Sequence, residues 1–136
     1  MQLQRQYNVL LIGDSCTDEW AYGSCDRLSP EAPIPVMKFR EHQSAPGMAA
    51  NVNENLKSLG INVNFLTNRE KIVKTRYVDD RSNQQIMRLD TEPVVKPLHP
   101  SQLTMAAMHS EYDAVVISDY DKGFVGYDII ELLAKQ

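Results

Sequence analysis

Two short apolar runs, each ending in an acidic, glycine-containing loop, constrain this chain more than any other feature. Asn8–Ile12 (NVLLI) leads straight into Gly13-Asp14, with Asp18 four residues further on. Ala114–Ser118 (AVVIS) leads straight into Asp119-Tyr120-Asp121-Lys122-Gly123. A short, continuous apolar run fits a strand covered on both faces, as in a parallel sheet flanked by helices. In such sheets ligands bind beyond the carboxyl ends of the strands, where the loops gather. Both loops carry groups that suit a phosphorylated polyol. Carboxylates accept hydroxyl hydrogen bonds, glycines permit close approach, and a lysine can meet an anion.

The rest of the chain alternates strands and helices. Pro30, Pro33 and Pro35 hold the backbone extended and lead into a strand over Ile34–Arg40, whose loose alternation suits an edge or a lid. Asp14 to Ser29 reads as irregular, with Trp20 and Tyr22 as packing anchors. After the Ser44–Met48 turn, Val52, Leu56 and Leu59 recur at helical spacing over Ala49–Leu59, and Gly60 supplies a C-terminal stop. Asn62–Thr67 reads as a second core strand and Ala114–Ser118 as a third. Ile72–Asp79 and Gln84–Leu89 flank the turn cluster Asp80-Arg81-Ser82-Asn83 and form a hairpin. Glu92–Pro100 is a proline-rich linker, and helices follow over Ser101–Ser110 and Tyr127–Lys135. The expected fold is therefore α/β, a mostly parallel sheet with a small separate β layer as a lid. The chain reads as a single domain over residues 1–136, with lid elements at about 30–41 and 71–91.

Composition closes off several function classes. At 136 residues and 43% hydrophobic, the chain has the size and apolar content to bury a real core. A net charge of −4 and a pI near 5.3 argue against a general nucleic-acid binder. No apolar stretch approaches the roughly 18 residues of a membrane span. The polar start, Met1 to Gln6, lacks the apolar middle of a signal peptide, so a cytoplasmic location is expected. Cys16 and Cys25 are too few for a disulfide framework and read as reduced, inert thiols. His42, His99 and His109 are scattered, with no ligand spacing, so no metal is expected.

Five strings occur in an order that resembles the ribokinase-like (PfkB) carbohydrate kinases, and within them the heptose 7-phosphate kinase branch. They are Val9–Asp14 with Asp18; Arg27-Leu28-Ser29-Pro30-Glu31-Ala32-Pro33-Ile34-Pro35-Val36; Pro46-Gly47 through Asn51; Lys74-Thr75-Arg76 with Asn83-Gln84-Gln85-Ile86-Met87-Arg88-Leu89-Asp90; and Ser118-Asp119-Tyr120 with Lys122-Gly123. The resemblance is to the N-terminal part of such a kinase, in truncated form. It implies a ribokinase-like core, a β-sheet lid that closes over the sugar and often forms a dimer clasp, and a transferase of lipopolysaccharide core synthesis. By that resemblance Asp14 and Asp18 face sugar hydroxyls, and Gly47 and Asn51 sit at the sugar loop and helix start. Arg76, Arg88 and Lys122 are then the cations for a phosphate, which an arginine fork suits well. Asp119 reads equally as structural or ligand-facing, Lys122-Gly123 equally as a solvated turn, and Arg76 and Arg88 also as solvated edge charges that deter aggregation.

The chain departs from that pattern in three places. The family's paired glycine is Gly47-Met48 here, so a side chain stands where the backbone should be permissive. The link from Thr67 to Lys71 is short where the family inserts further elements. No string here matches the family's Gly-Ala-Gly-Asp region, which carries its anion hole, catalytic base and ATP pocket. The family uses ATP and Mg²⁺; this chain alone is expected to use neither, and no catalytic residue is assigned. Three readings follow: an inactive kinase-like protein with part of a sugar-phosphate site, a non-catalytic dimerising module, or one half of a split kinase. Expected partners are a sugar phosphate and either a second copy through the lid or a partner kinase half.

Overall fold

A computed structural model describes residues 5–109 and 111–134. The elements, in chain order, are β1 (Asn8–Gly13), β2 (Ser15–Leu28), β3 (Pro35–Met48), α1 (Ala49–Ser58), β4 (Asn62–Thr67), β5 (Val73–Asp79), β6 (Gln84–Thr91), α2 (Pro100–His109), β7 (Ala114–Ser118) and α3 (Tyr127–Ala134). They fall into two compact units, one built from the chain up to Cys16, Pro46–Lys71 and the part from Pro93 onward, the other from Thr17–Ala45 and Ile72–Glu92. The end of the Ser101–Ser110 helix and Lys135 lie outside the described residues. No helix among the described residues is long and apolar enough to cross a membrane.

The first unit holds a parallel three-stranded sheet in the order β4-β1-β7. Leu11 of β1 lies opposite Phe65 of β4 and Val116 of β7. With neighbours on both edges, β1 is the most buried segment, and Leu10, Leu11 and Ile12 are almost fully enclosed. Alternation along β1 sends Leu10 and Gly13 to opposite faces. On the Gly13 face lies α1, so close that a Cβ on Gly13 would press on the Ala49 Cβ and the Ser118 carbonyl. On the Leu10 face, Leu103 and Ala107 of α2, Val115 of β7 and Leu132 and Leu133 of α3 line an apolar cavity of about 220 Å³.

This packing corrects two readings of the sequence. Ala49 and Asn53 form the buried side of α1, whereas Leu59 is 74% exposed. The close approach at Gly13 favours small residues on that side, so the larger apolar residues lie around it. Likewise β7 is an edge strand, not a covered core strand, because β1 is its one hydrogen-bonded neighbour among the described residues. Val115 and Ile117 are 44% and 39% exposed.

The second unit is a four-stranded sheet in the order β3-β2-β5-β6. The expected lid strands are all in it, and β5 and β6 form the expected hairpin, with an irregularity at Tyr77/Val78. The stretch read as irregular, Asp14 to Ser29, supplies a fourth strand instead: β2 runs parallel to β5 from Thr17↔Val73 to Gly23↔Asp79. Its buried positions include Ala21, Gly23 and Ser24. Small residues give no apolar alternation to read, yet they allow close pairing. A Cβ on Gly23 would meet the Lys38 carbonyl.

Asp79 anchors the hairpin turn. Its carboxylate accepts the Ser82 hydroxyl (2.7 Å), the Ser82 amide (3.1 Å) and the Cys25 amide (3.0 Å). These bonds, led by the Ser82 hydroxyl and the Cys25 amide, hold its carboxyl below the ordinary 3.8. A lowered folded-state value stabilises the fold above the ordinary carboxylate range, and that contribution is lost as pH falls through the folded value.

Two measurements test this fold. Leu11→Ala should lower the unfolding free energy by about 2–5 kcal/mol in urea titrations, whereas Leu59→Ala should change it by less than about 0.5 kcal/mol. Asp79→Asn should lower the thermal midpoint at neutral pH, and its gap from the native chain should shrink as the buffer is taken below about pH 4. A gap that is constant with pH would show that the Asp79 charge does not brace the turn.

Candidate functional site

The strand order β4-β1-β7 puts a topological switch point between β1 and β7 in the first unit. The connection from β1 leads through α1 towards β4, and that from β4 leads through α2 to β7 on the other side of β1. The carboxyl ends of β1 and β7 therefore diverge into loops on opposite faces, the usual location of a ligand in an open α/β sheet. Asp14 follows β1 there and is fully buried. Its Oδ2 accepts the Tyr120 amide (2.9 Å) and the Lys122 amide (3.4 Å), and its Oδ1 accepts the Phe124 amide (3.1 Å). Its carbonyl accepts the Ala49 amide at the start of α1 (2.9 Å). One residue thus ties together the end of β1, the start of α1 and the loop after β7.

That loop is wound to fit. Asp121 and Gly123 have φ of 55° and 97°, and the Asp119 Oδ1 accepts the Asp121 amide at 2.8 Å. Backbone amides turned inward make an anion-binding concavity, and here the Asp14 carboxylate fills it. Lys122 is half-buried, whereas Asp119 is exposed.

At α1, Gly47 is buried and Asn51 is exposed in the first turn. The helix has no acidic residue in that turn and no side-chain cap from Met48, which leaves its positive end without a carboxylate of its own. Met48 adopts φ 56° and ψ −133°. That conformation is nearly confined to glycine and costs a residue with a side chain on the order of 1–3 kcal/mol. The residue that replaces the family's second glycine still takes a glycine-like backbone.

Sequence reasoning missed Asn68. It is buried, its Oδ1 accepts the Ser15 amide (2.7 Å), and its Nδ2 donates to the carbonyls of Ser15 (3.2 Å) and Glu70 (2.7 Å). A lone Asn in a short polar link gives no pattern by which to find it.

The other candidates belong to the second unit. Trp20, Arg76 and Arg88 are successive partners across β2, β5 and β6. Arg76 donates to the Asp18 Oδ1 (2.7 Å) and lies over the Trp20 ring at 5.2 Å. Arg88 holds Asp90 with two bonds, 2.7 and 2.6 Å. Directly opposed cations repel; the two aspartates compensate. Asp90 above all, then Glu92 and Asp18, push the Arg88 guanidinium further above its ordinary range. An incoming phosphate would compete with carboxylates already in place. The candidates therefore form two groups, Asp14, Gly47, Asn51, Asp119 and Lys122 in one unit and Asp18, Arg76 and Arg88 in the other. Among the described residues no group of three or more His, Cys, Asp or Glu side chains could hold a metal ion.

No protein-family model matches the chain. Individual proteins do. It is 34% identical over 136 residues to the bifunctional protein HldE of Edwardsiella ictaluri, covering 96% of this chain and 27% of that protein. With HldE of Campylobacter jejuni it shares 34% over 158 residues, covering 98% and 34%, and with that of Helicobacter hepaticus 30% over 154 residues, covering 89% and 32%. The chain is homologous to these HldE proteins over nearly its whole length. It spans between about a quarter and a third of the length of these curated relatives. A putative sugar kinase from Clostridium perfringens shares the fold at a TM-score of 0.53 and 11% identity, over 97% of this chain and 48% of that one. The fold of this chain is a partial ribokinase-like α/β core.

The Asp14 latch is open to test. Asp14→Ala leaves three loop amides without their acceptor and should cost roughly 2–4 kcal/mol. Hydrogen exchange at Tyr120, Lys122 and Phe124 should quicken together, with little change at these amides in Asp119→Ala. Unaltered exchange in Asp14→Ala would remove the latch role.

Proposed function

We propose that this chain carries part of the sugar-phosphate site of a heptose 7-phosphate kinase and does not transfer phosphate by itself. The observation that carries the reading is the match to HldE along almost the whole chain. Asp14 holds the loop after β7 in shape, and Asn51, Asp119 and Lys122 meet the ligand around it. Asp18 takes a sugar hydroxyl, and Arg76 and Arg88 serve the phosphate. Self-association through the second unit accords with this reading, since Phe39 of β3 and Met87 of β6 are more than half exposed.

Phosphoryl transfer rests on positioning the donor and neutralising developing charge. The family's string for that task, the Gly-Ala-Gly-Asp region, has no counterpart in these 136 residues. The residues present thus belong to the acceptor side, and no step through ATP or Mg²⁺ is assigned to them.

Calorimetric titration with the heptose 7-phosphate should show binding that Asp18→Ala and Lys122→Ala each weaken about tenfold or more, the effect of losing one hydrogen bond to a charged group. ADP release in a coupled assay should stay at background. Turnover lost in both variants would overturn the claim of inactivity, and unchanged binding in both would overturn the site.

A further inference from the structure

The inner edge of β4 is taken by β1, and its outer edge has no strand beside it among the described residues. β4 reads Asn-Val-Asn-Phe-Leu-Thr and follows β1 in unbroken register, so no charge, proline or bulge guards that edge. Edge strands normally carry such guards, because a bare edge templates pairing with another strand.

The backbone sets which residues can pair there. The Asn62 amide donates to the Tyr7 carbonyl (2.9 Å) on the β1 side. Alternation along the strand then turns the backbone groups of Asn62, Asn64 and Leu66 towards β1, and those of Val63, Phe65 and Thr67 outward. In an antiparallel pairing of two copies, outward residues must meet outward residues. A twofold axis through Asn64 does this by setting Val63 opposite Phe65 of the other copy. Asn64 then faces its own copy as a non-hydrogen-bonded pair, and no like charges meet along the strand.

Helix α1 selects that axis. It packs on both β1 and β4, with Ala49 and Asn53 buried towards the sheet. With the right-handed crossover that parallel sheets share, the side of α1 carrying Ala50, Glu54 and Lys57 overhangs the outer edge of β4. Ala49 lies at the level of Gly13, and hence of Thr67. Asn64 is about 10 Å back along β4, a distance that α1 covers in about six and a half residues. The axis through Asn64 therefore crosses α1 midway between Glu54 and Lys57, both exposed. Two antiparallel copies of α1, about 10 Å apart across the seam, bring Glu54 of each against Lys57 of the other. An axis through Val63 sets Lys57 against Lys57 instead, and one through Phe65 sets Glu54 against Glu54. Such exposed pairs add little affinity; they choose the register, and the strands supply the backbone hydrogen bonds.

We propose that the outer edge of β4 pairs with a second copy of itself, an antiparallel seam whose twofold axis passes through Asn64 and joins the two parallel sheets into one. The surface lies in the first unit, and the proposal is independent of the sugar-phosphate reading.

Cross-linking rates test it. Asn64 lies on the Leu10 face, where its side chain donates to the Tyr112 hydroxyl (2.5 Å), so a cysteine there leaves the α1 side untouched. Asn64→Cys, made with Cys25→Ser so that buried Cys16 is the other thiol and checked for native circular dichroism and melting, should oxidise with diamide to a covalent dimer, because the opposed Cα atoms stand within disulfide reach. Asn62→Cys, about 14 Å from its own copy in this register, should cross-link at least tenfold more slowly. Adding Lys57→Glu to Asn64→Cys should slow cross-linking at least fivefold, and adding Glu54→Lys as well should restore it. Phe39→Lys, in the second unit, should leave the rate unchanged. Absence of the covalent dimer, or equal rates for Asn62→Cys and Asn64→Cys, overturns the seam. So does a rate that Phe39→Lys abolishes, which assigns association to the second unit. A rate indifferent to Lys57→Glu overturns the part given to α1.

Discussion

The bonds around the Asp14 carboxylate organise the first unit. Three elements distant in sequence meet there. The loop after β7 bends its amides inward, which would leave buried donors unpaired were no acceptor supplied. Asp14 supplies it from the end of the best-buried strand, so the most rigid part of the sheet sets the shape of the most irregular loop. Gly13 completes the arrangement, because only a residue without a Cβ lets α1 and the end of β7 come this close to β1. The Gly-Asp pair is thus a packing device as much as a polar one, and any ligand meets a loop already set by it.

The second unit follows a different logic. Its sheet lines up Trp20, Arg76 and Arg88 in one row and offsets the cations with Asp18 and Asp90. Each arginine therefore has a carboxylate partner in place. Such pairs at a partly exposed surface add little stability by themselves; they fix where the guanidinium forks point. Carboxylates thus occupy both forks, which accords with the reading of these arginines as edge charges that deter aggregation.

What the strands bury explains where the sequence was legible. β1, β4 and the β5–β6 hairpin were readable because continuous apolar runs and a turn cluster are local signals. Gly60 stopped α1 as expected, with a left-handed φ of 78°. β2 escaped because its buried positions are small, and small residues have no hydrophobic period. The exposed state of β7 was invisible for the opposite reason. Its apolar run is that of an interior strand, and nothing local records which neighbours are present.

The sequence by itself determined the kinase resemblance, the α/β class and the identity of the acidic loops, since these depend on residue order and local pattern. Tertiary structure alone decided what those loops do. Whether a carboxylate faces a ligand or a ring of backbone amides depends on which chain segments the sheet order brings to it, across 106 residues in the case of Asp14 and Tyr120. The same holds for Asp18, whose partner Arg76 arrives through the parallel pairing of β2 with β5. Hydrogen bonds act over about 3 Å, so pairing and sheet order, not spacing along the chain, settle which charges meet.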